Sequence, residues 1–251
     1  MGVCILSRLI VVSNRVILPN SGKSDSAGGL AVAVSDALRQ YGGIWFGWSG
    51  RFMTLGQADL EMHEDDKIIY ATLDLSKSDY DQFYNGYSNG SLWPLLHYRL
   101  DLIQYSQTNY SGYRRVNELF AHKIQPLLRP DDIIWVHDYH FIPLARELRN
   151  WRSTQRIGFF LHVPWPPKEV LMALPEHLEL VKALLDYDLL GFQTKGDVHA
   201  FLDYVVRELK WTVDTNGFVY ALDKHTKVQH FPISIETQRF ESLAEEADSS
   251  N

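Results

Sequence analysis

A Rossmann-like, doubly wound α/β fold with a mainly parallel sheet is the class that this sequence predicts, on three observations. Short apolar runs recur along the chain, at Leu9–Val12, Ile44–Trp48, Lys67–Leu73, Ile133–Val136, Ile157–Val163 and Tyr187–Phe192. Runs of that length without alternation suit strands covered on both faces, as in parallel sheets. Helical stripes lie between them. Val116, Leu119, Phe120, Ile124 and Leu127 share one face of Ser111–Leu128, and Val198, Phe201, Leu202, Val205 and Leu209 do so in Thr194–Lys210. The third observation is the opening unit, a strand, a loop and a helix start, with which such folds begin.

That opening unit carries the first candidate site. The run Leu9–Val12 ends in Ser13-Asn14-Arg15, and a polar loop leads to Ser26-Ala27-Gly28-Gly29-Leu30, where a helical pattern begins. A helix N-terminus presents unpaired amides and a positive dipole end, which attract anions. Glycines let backbone approach a ligand, and an arginine grips phosphate bidentately. Gly28, Gly29 and Arg15 are thus candidates for binding a phosphorylated ligand. The plainer reading is a glycine turn that serves packing, with Arg15 in a surface ion pair. A dinucleotide fingerprint is excluded, because Gly-x-Gly-x-x-Gly is absent.

Composition bounds the partners. With 251 residues, 45% hydrophobic, the chain makes one large domain or two small ones. A net charge of −7 argues against a nucleic-acid surface. The single cysteine, Cys4, permits no internal disulfide and fits a reducing cytoplasm. No run is long enough to cross a bilayer, and Met1-Gly2-Val3-Cys4-Ile5-Leu6 fails the myristoylation pattern. A cytoplasmic protein without membrane or nucleic-acid partners is expected.

In doubly wound sheets, ligands bind beyond the carboxyl ends of the strands, near a switch in strand order. Those ends carry Asn14-Arg15, Trp48-Ser49-Gly50, His137-Asp138-Tyr139-His140 and His162-Val163-Pro164. Ionisable groups ending a buried strand are common at sites and unusual in cores. Asp138 suits sugar hydroxyls, and it equally suits a helix cap before Phe141–Arg149. A metal held by His137, Asp138 and His140 lacks a second ligand cluster, so no metal and no cofactor is expected. His162 precedes Val163-Pro164-Trp165-Pro166-Pro167, whose prolines carry the chain off the sheet. It is either a ligand contact or a satisfied structural histidine.

Aromatics crowd Tyr80–Tyr98, and tyrosine and tryptophan suit sugar rings. Phe83 is expected to pack. Trp93-Pro94, read as a loop, is expected to meet ligand. The triplets Asp79-Tyr80-Asp81 and Asp186-Tyr187-Asp188 are expected to be structural, the first as a helix start capped by Ser76 and Asp79, the second as a strand opening.

Taken together, Ser7–Arg15, Ser26–Leu30, Trp45–Gly50, Tyr84 through Trp93-Pro94, Asp132–His140 and Gly158–Pro164 resemble the trehalose-6-phosphate synthase family, the retaining glycosyltransferases of family 20 with a two-domain GT-B architecture. The likeness runs from about Ser7 to Phe231-Pro232-Ile233. It implies transfer of glucose from UDP-glucose to glucose 6-phosphate, with retention, giving trehalose 6-phosphate and UDP. By that likeness Arg15 would hold the acceptor phosphate, with Tyr84, Trp93 and Asp138 lining the acceptor pocket. Gly28 and Gly29 would lie against the donor's diphosphate. His162 would contact the transferred glucose, and Trp93 and Val163 would shape the anomeric preference. His162 and Asp138 would be the catalytic contacts. No protein nucleophile is required, since the leaving diphosphate takes the acceptor's proton.

The resemblance also implies a division of the chain. Residues 1–235 would form the acceptor-binding N-terminal half of a GT-B enzyme. Residues 236–251 would be a polar tail, or the start of a crossover to a C-terminal donor domain that these residues do not include. Alone, the chain would then be nearly inactive. Alternatives are a non-catalytic sugar-phosphate-binding module and a related synthase such as glucosylglycerol-phosphate synthase. Homo-oligomerisation is compatible with the sequence and not indicated by it.

Overall fold

In a computed structural model describing residues 7–19, 29–53, 59–221 and 224–232, the strands are β1 (Leu9–Arg15), β2 (Gly43–Phe52), β3 (Leu60–Asp65), β4 (Ile68–Leu75), β5 (Ile133–His137), β6 (Arg156–Phe160), β7 (Leu189–Phe192), β8 (Thr212–Val213), β9 (Phe218–Ala221) and β10 (Lys224–His230). The α-helices are α1 (Gly29–Tyr41), α2 (Lys77–Tyr80), α3 (Trp93–Leu96), α4 (Gln107–Ile124), α5 (Leu144–Asn150), α6 (Lys168–Leu171), α7 (His177–Leu184) and α8 (Lys195–Tyr204). Two π-helical stretches, Asp81–Leu92 and Val205–Leu209, continue α2 and α8. Gly28, Cys4 and the tail 236–251 lie outside the described residues.

All the described strands join one sheet in the order β3-β4-β2-β1-β5-β6-β7-β10-β9-β8. From β4 to β10 neighbours run parallel. β1 is central, with Ile10 opposite Ile44 on one side and Ile134 on the other. Successive side chains of a strand point to opposite faces, and both faces of β1 are buried. Ile10 and Val12 join Phe46 in the larger core. Val11 joins Trp45 and Tyr70 under Val34 and Leu38 of α1. That two-sided burial is why the strands read as unbroken apolar runs.

Strand order reverses beside β1. The chain builds outward through β2 and β4, then returns to place β5 on the other side. The crevice between the tips of β1 and β5 is therefore the place where a ligand is expected.

Three details differ from the sequence reading. The edges are antiparallel, β3 on β4 at one side and β8 and β9 on β10 at the other. β3, Leu-Glu-Met-His-Glu-Asp, is almost wholly exposed. An edge strand with charged side chains has no apolar run to announce it. Trp93 is not in a loop but opens α3, with Pro94 in the first turn. Proline is tolerated there because the first-turn N–H groups lack intrahelical partners anyway. Finally, β7 starts at Leu189, so Asp186 and Asp188 sit in the turn before it.

The two aspartate triplets have structural partners. Asp186 pairs with Arg146 at 2.8 Å and Lys224 at 2.6 Å. Asp188 pairs with Arg149 at 2.9 Å and accepts the Ile157 N–H at 2.7 Å. Ser76 caps α2 by accepting the Asp79 N–H at 2.9 Å, and Asp79 binds Arg115. Among the described residues no helix is long and apolar enough to cross a membrane.

Candidate functional site

The tip of β1 is shaped by its neighbour β2. Pairing slips between Val12 and Arg15, and Ser13 stabilises the irregularity. Its hydroxyl accepts from Trp45 Nε1 at 2.8 Å and donates to the Arg15 carbonyl at 3.0 Å. Gly47 permits the close pass, because a Cβ there would stand 2.3 Å from the Ser13 carbonyl oxygen. The slip turns Arg15 outward. Its guanidinium lies over the Trp48 ring at 5.8 Å, an arrangement that cation–π attraction favours. Gly50, at φ +88°, leaves the space beside it, since a Cβ there would lie 2.7 Å from Arg15 Nη2. No carboxylate among the described residues pairs with Arg15, so the surface ion pair weighed above is not seen. Asn14 Oδ1, next to it, is buried without a hydrogen-bond partner.

A row of rings leads from Arg15 to β5. Trp48 meets Tyr80 at 4.8 Å, Tyr80 stacks on Tyr84 at 5.1 Å, and Tyr84 stacks on His140 at 5.6 Å. The π-helical stretch carries Tyr84 on one turn and Asn89 on the next, and Asn89 Oδ1 accepts the Tyr139 hydroxyl at 2.9 Å. His140 is packed between Tyr84 and Tyr139, with both ring nitrogens lacking partners among the described residues. Burial lowers its pKa to about 3, so it is neutral. Phe83 is fully buried, as expected.

Asp138 follows β5 in a backbone conformation, φ 75° and ψ 167°, that only glycine adopts without strain. Its peptide N–H donates to the Phe160 carbonyl at 2.8 Å. Its carboxylate is not a helix cap; Oδ1 accepts the His162 N–H at 3.3 Å instead. Burial raises the carboxyl pKa to about 6, against the opposing pull of the Tyr139 and His162 amides and the nearby His97. His97 stacks on Trp93 at 4.1 Å, and Trp93 is 40% exposed.

His162 lies just beyond β6 with its backbone held on both sides. Its N–H is on Asp138 and its carbonyl accepts Gln193 Nε2 at 3.2 Å. Gln193 was missed by the sequence reading, although it follows Phe192 at the tip of β7 and the strand-end rule covers it. The His162 ring is half-buried and burial lowers its pKa to about 4. Val163, next along, is half-buried and packs against the main core. The proline loop is anchored by Asp197, which accepts the Trp165 N–H at 2.9 Å and forms the capping box of α8 with Thr194.

Arg15, Tyr84, Asp138 and His162 therefore share one edge of the sheet, around the crevice where strand order reverses. Trp93 is at its rim beside His97. Gly29 is the first residue of α1, and the position of Gly28 is outside the described residues. The chemistry on offer is a cation without a partner among the described residues, aromatic faces, a half-buried carboxylate and neutral imidazoles. Such groups bind and orient a phosphorylated, polyhydroxylated ligand. No serine or cysteine nucleophile with an adjacent base lies among them.

Comparison with known proteins identifies the family. The family model for glycosyltransferase family 20 matches residues 7–251. The trehalose-6-phosphate synthase of Cronobacter sakazakii (strain ATCC BAA-894) is 48% identical over 235 residues, covering 93% of this chain and 49% of that protein. The crystal structure of an alpha,alpha-trehalose-phosphate synthase (UDP-forming) from Burkholderia xenovorans in complex with glucose-6-phosphate matches with a TM-score of 0.88 and 46% identity, over 97% of this chain and 53% of that one. An E. coli structure bound with UDP-2-fluoro glucose matches with a TM-score of 0.86 and 46% identity, over 93% of this chain and 50% of that one. The chain spans about half the length of the curated relatives it matches. On the strength of the family match along nearly its whole length, this chain belongs to glycosyltransferase family 20.

Proposed function

We propose that this chain supplies the acceptor-binding side of a retaining glucosyltransferase that moves glucose from UDP-glucose to glucose 6-phosphate, giving trehalose 6-phosphate and UDP. The observation that carries the reading is Arg15, unpaired among the described residues and aimed beside Trp48 at the same crevice as Asp138 and His162. Relatives at nearly half identity are named for this activity, and one solved structure is in complex with glucose-6-phosphate.

In this reading Arg15 grips the acceptor phosphate bidentately. Tyr84 and Trp93 offer ring faces to the acceptor sugar, and Asp138 accepts from its hydroxyls. The N-terminus of α1 at Gly29 receives the donor's diphosphate, together with the preceding Gly28. His162 contacts the transferred glucose, with Val163 and Trp93 biasing the anomer. As the bond from the anomeric carbon to the diphosphate breaks, the acceptor oxygen bonds to the same face. Its proton passes to the departing diphosphate oxygen. The protein's contribution is positioning and stabilisation of charge, with no covalent intermediate.

Residues 1–235 form the acceptor domain in this proposal, and 236–251 begin a crossover. Because the relatives are about twice as long, the 251 residues alone are expected to bind both substrates weakly and to release almost no UDP. Calorimetric titration with glucose 6-phosphate, glucose and UDP-glucose tests this. Glucose 6-phosphate should bind more tightly than glucose, and Arg15→Ala should erase the difference. Equal affinities in the unmodified chain would refute the phosphate role of Arg15. UDP release at the rate of a full-length relative would refute the division of the site.

A further inference from the structure

His137 and His162 stand on neighbouring strand tips, with His137 Nδ1 2.9 Å from His162 Nε2. One hydrogen serves that contact, and the direction of donation decides what His162 offers the cleft. Burial lowers the pKa of His137 to about 3 and of His162 to about 4. At neutral pH each ring thus carries a single hydrogen.

The surroundings of His137 choose between the two arrangements. The residue is 1% exposed, with Trp135 against its ring at 4.2 Å. Its Nε2 is sealed from solvent and has no hydrogen-bond partner among the described residues. A hydrogen on Nε2 would be a buried donor with nothing to receive it. Placing it on Nδ1 leaves only an unused lone pair there. Orphaned buried N–H groups are the rarer of the two defects, so the second arrangement wins.

We infer that His137 is a positioning residue. It donates from Nδ1 to His162 Nε2, which confines the hydrogen of His162 to its own Nδ1. That nitrogen has no protein partner among the described residues, and it is not among the atoms sealed from solvent. His162 therefore presents an N–H donor, and not a lone pair, to whatever occupies the cleft. Phe160 stands edge-on to His162 at 4.7 Å, and the two imidazole planes lie within 29° of each other, so the contact runs close to both ring planes. Its use, donation to an oxygen of the donor sugar, rests on the functional reading above; the hydrogen's location does not.

Long-range proton–nitrogen correlation spectra of the whole 251-residue chain, labelled at histidine and recorded at neutral pH, test the inference. Both rings should appear as Nδ1–H tautomers. Neutral imidazole in water favours Nε2–H, so the expected state does not arise by default. His137→Leu should return His162 to Nε2–H and weaken UDP-glucose binding about tenfold, the worth of one good hydrogen bond. His137→Asn should keep His162 as Nδ1–H, since the amide nitrogen lies as many bonds from Cα as Nδ1 does. An Nε2–H form of His162 in the unmodified chain overturns the inference, as does an Nδ1–H form that survives in H137L. The spectrum of the unmodified chain decides the direction of donation even if H137L fails to fold. Tautomers as expected, with no His162 signal moving on addition of UDP-glucose, would support the inference and sink the functional reading alone.

Discussion

Replacing Asp138 by glycine is expected to make the chain more stable and, under the proposed function, less able to bind glucose 6-phosphate. At φ 75° and ψ 167° the aspartate occupies a region that costs a non-glycine residue about 1–3 kcal/mol. Its carboxyl is raised by burial from 3.8 to about 6. At about pH 7.5 that means roughly 2 kcal/mol of destabilisation, after discounting for its partial exposure. Against these gains stand about 1 kcal/mol for the freedom glycine adds to the unfolded chain. About 1 kcal/mol more is lost with the acceptor for the His162 N–H. The balance is a gain of about 1–3 kcal/mol, or about 2–12 °C in melting temperature for a chain of this size.

The pH dependence separates the two sources. The folded chain holds the Asp138 proton up to about 6, whereas the unfolded chain releases it near 3.8. Between those values the folded state binds more protons, so this group's destabilisation appears as pH rises through the window. Thermal melts of Asp138→Gly and the unmodified chain should differ most above about pH 6, and below about pH 4 only by the contributions that do not titrate, the relieved strain less the glycine and hydrogen-bond costs. Affinity for glucose 6-phosphate should fall at least about tenfold at the same time. A variant that melts below the unmodified chain at neutral pH, or whose advantage is flat with pH, refutes the reasoning.

Two glycines make a matched pair. Gly47→Ala forces a Cβ to 2.3 Å from the Ser13 carbonyl oxygen; melting should fall by about 4–12 °C, for about 2–3 kcal/mol of overpacking. Glucose 6-phosphate binding should weaken as Arg15 is displaced. Gly158→Ala meets nothing nearer than Trp135 Cδ1 at 3.9 Å and should change stability by no more than about 0.5 kcal/mol. Asp132→Ala strands Arg8, which binds both carboxylate oxygens at 3.1 and 2.8 Å; urea unfolding should show a loss of about 3–5 kcal/mol. Asp197→Ala removes the α8 capping box and the acceptor for the Trp165 N–H. It should cost about 1–2 kcal/mol and speed hydrogen exchange at the Trp165 amide.

Much of this protein was legible in its sequence, because local forces write local patterns. Two-sided burial leaves unbroken apolar runs, and the polar residues that end them, Arg15, Asp138 and His162, mark the strand tips. Helical stripes and the Ser76 cap were readable for the same reason. Trp93 was misread because proline beside tryptophan suggests a loop, whereas a helix accepts proline in its first turn. β3 and β8 left no trace, since edge strands pair through backbone and can stay polar, and β9 is too short an apolar run, Phe218-Val219-Tyr220-Ala221, to have been singled out. The arrangement of the site belongs to the tertiary structure alone. Gly50 makes room for a guanidinium 35 positions earlier in the chain only because β1 and β2 adjoin. His137 reaches His162 only because β5 pairs with β6 in a register that sets His137 opposite Phe160. Spacing along the chain cannot encode such contacts. They follow from strand order and register, which the packing of the whole sheet decides.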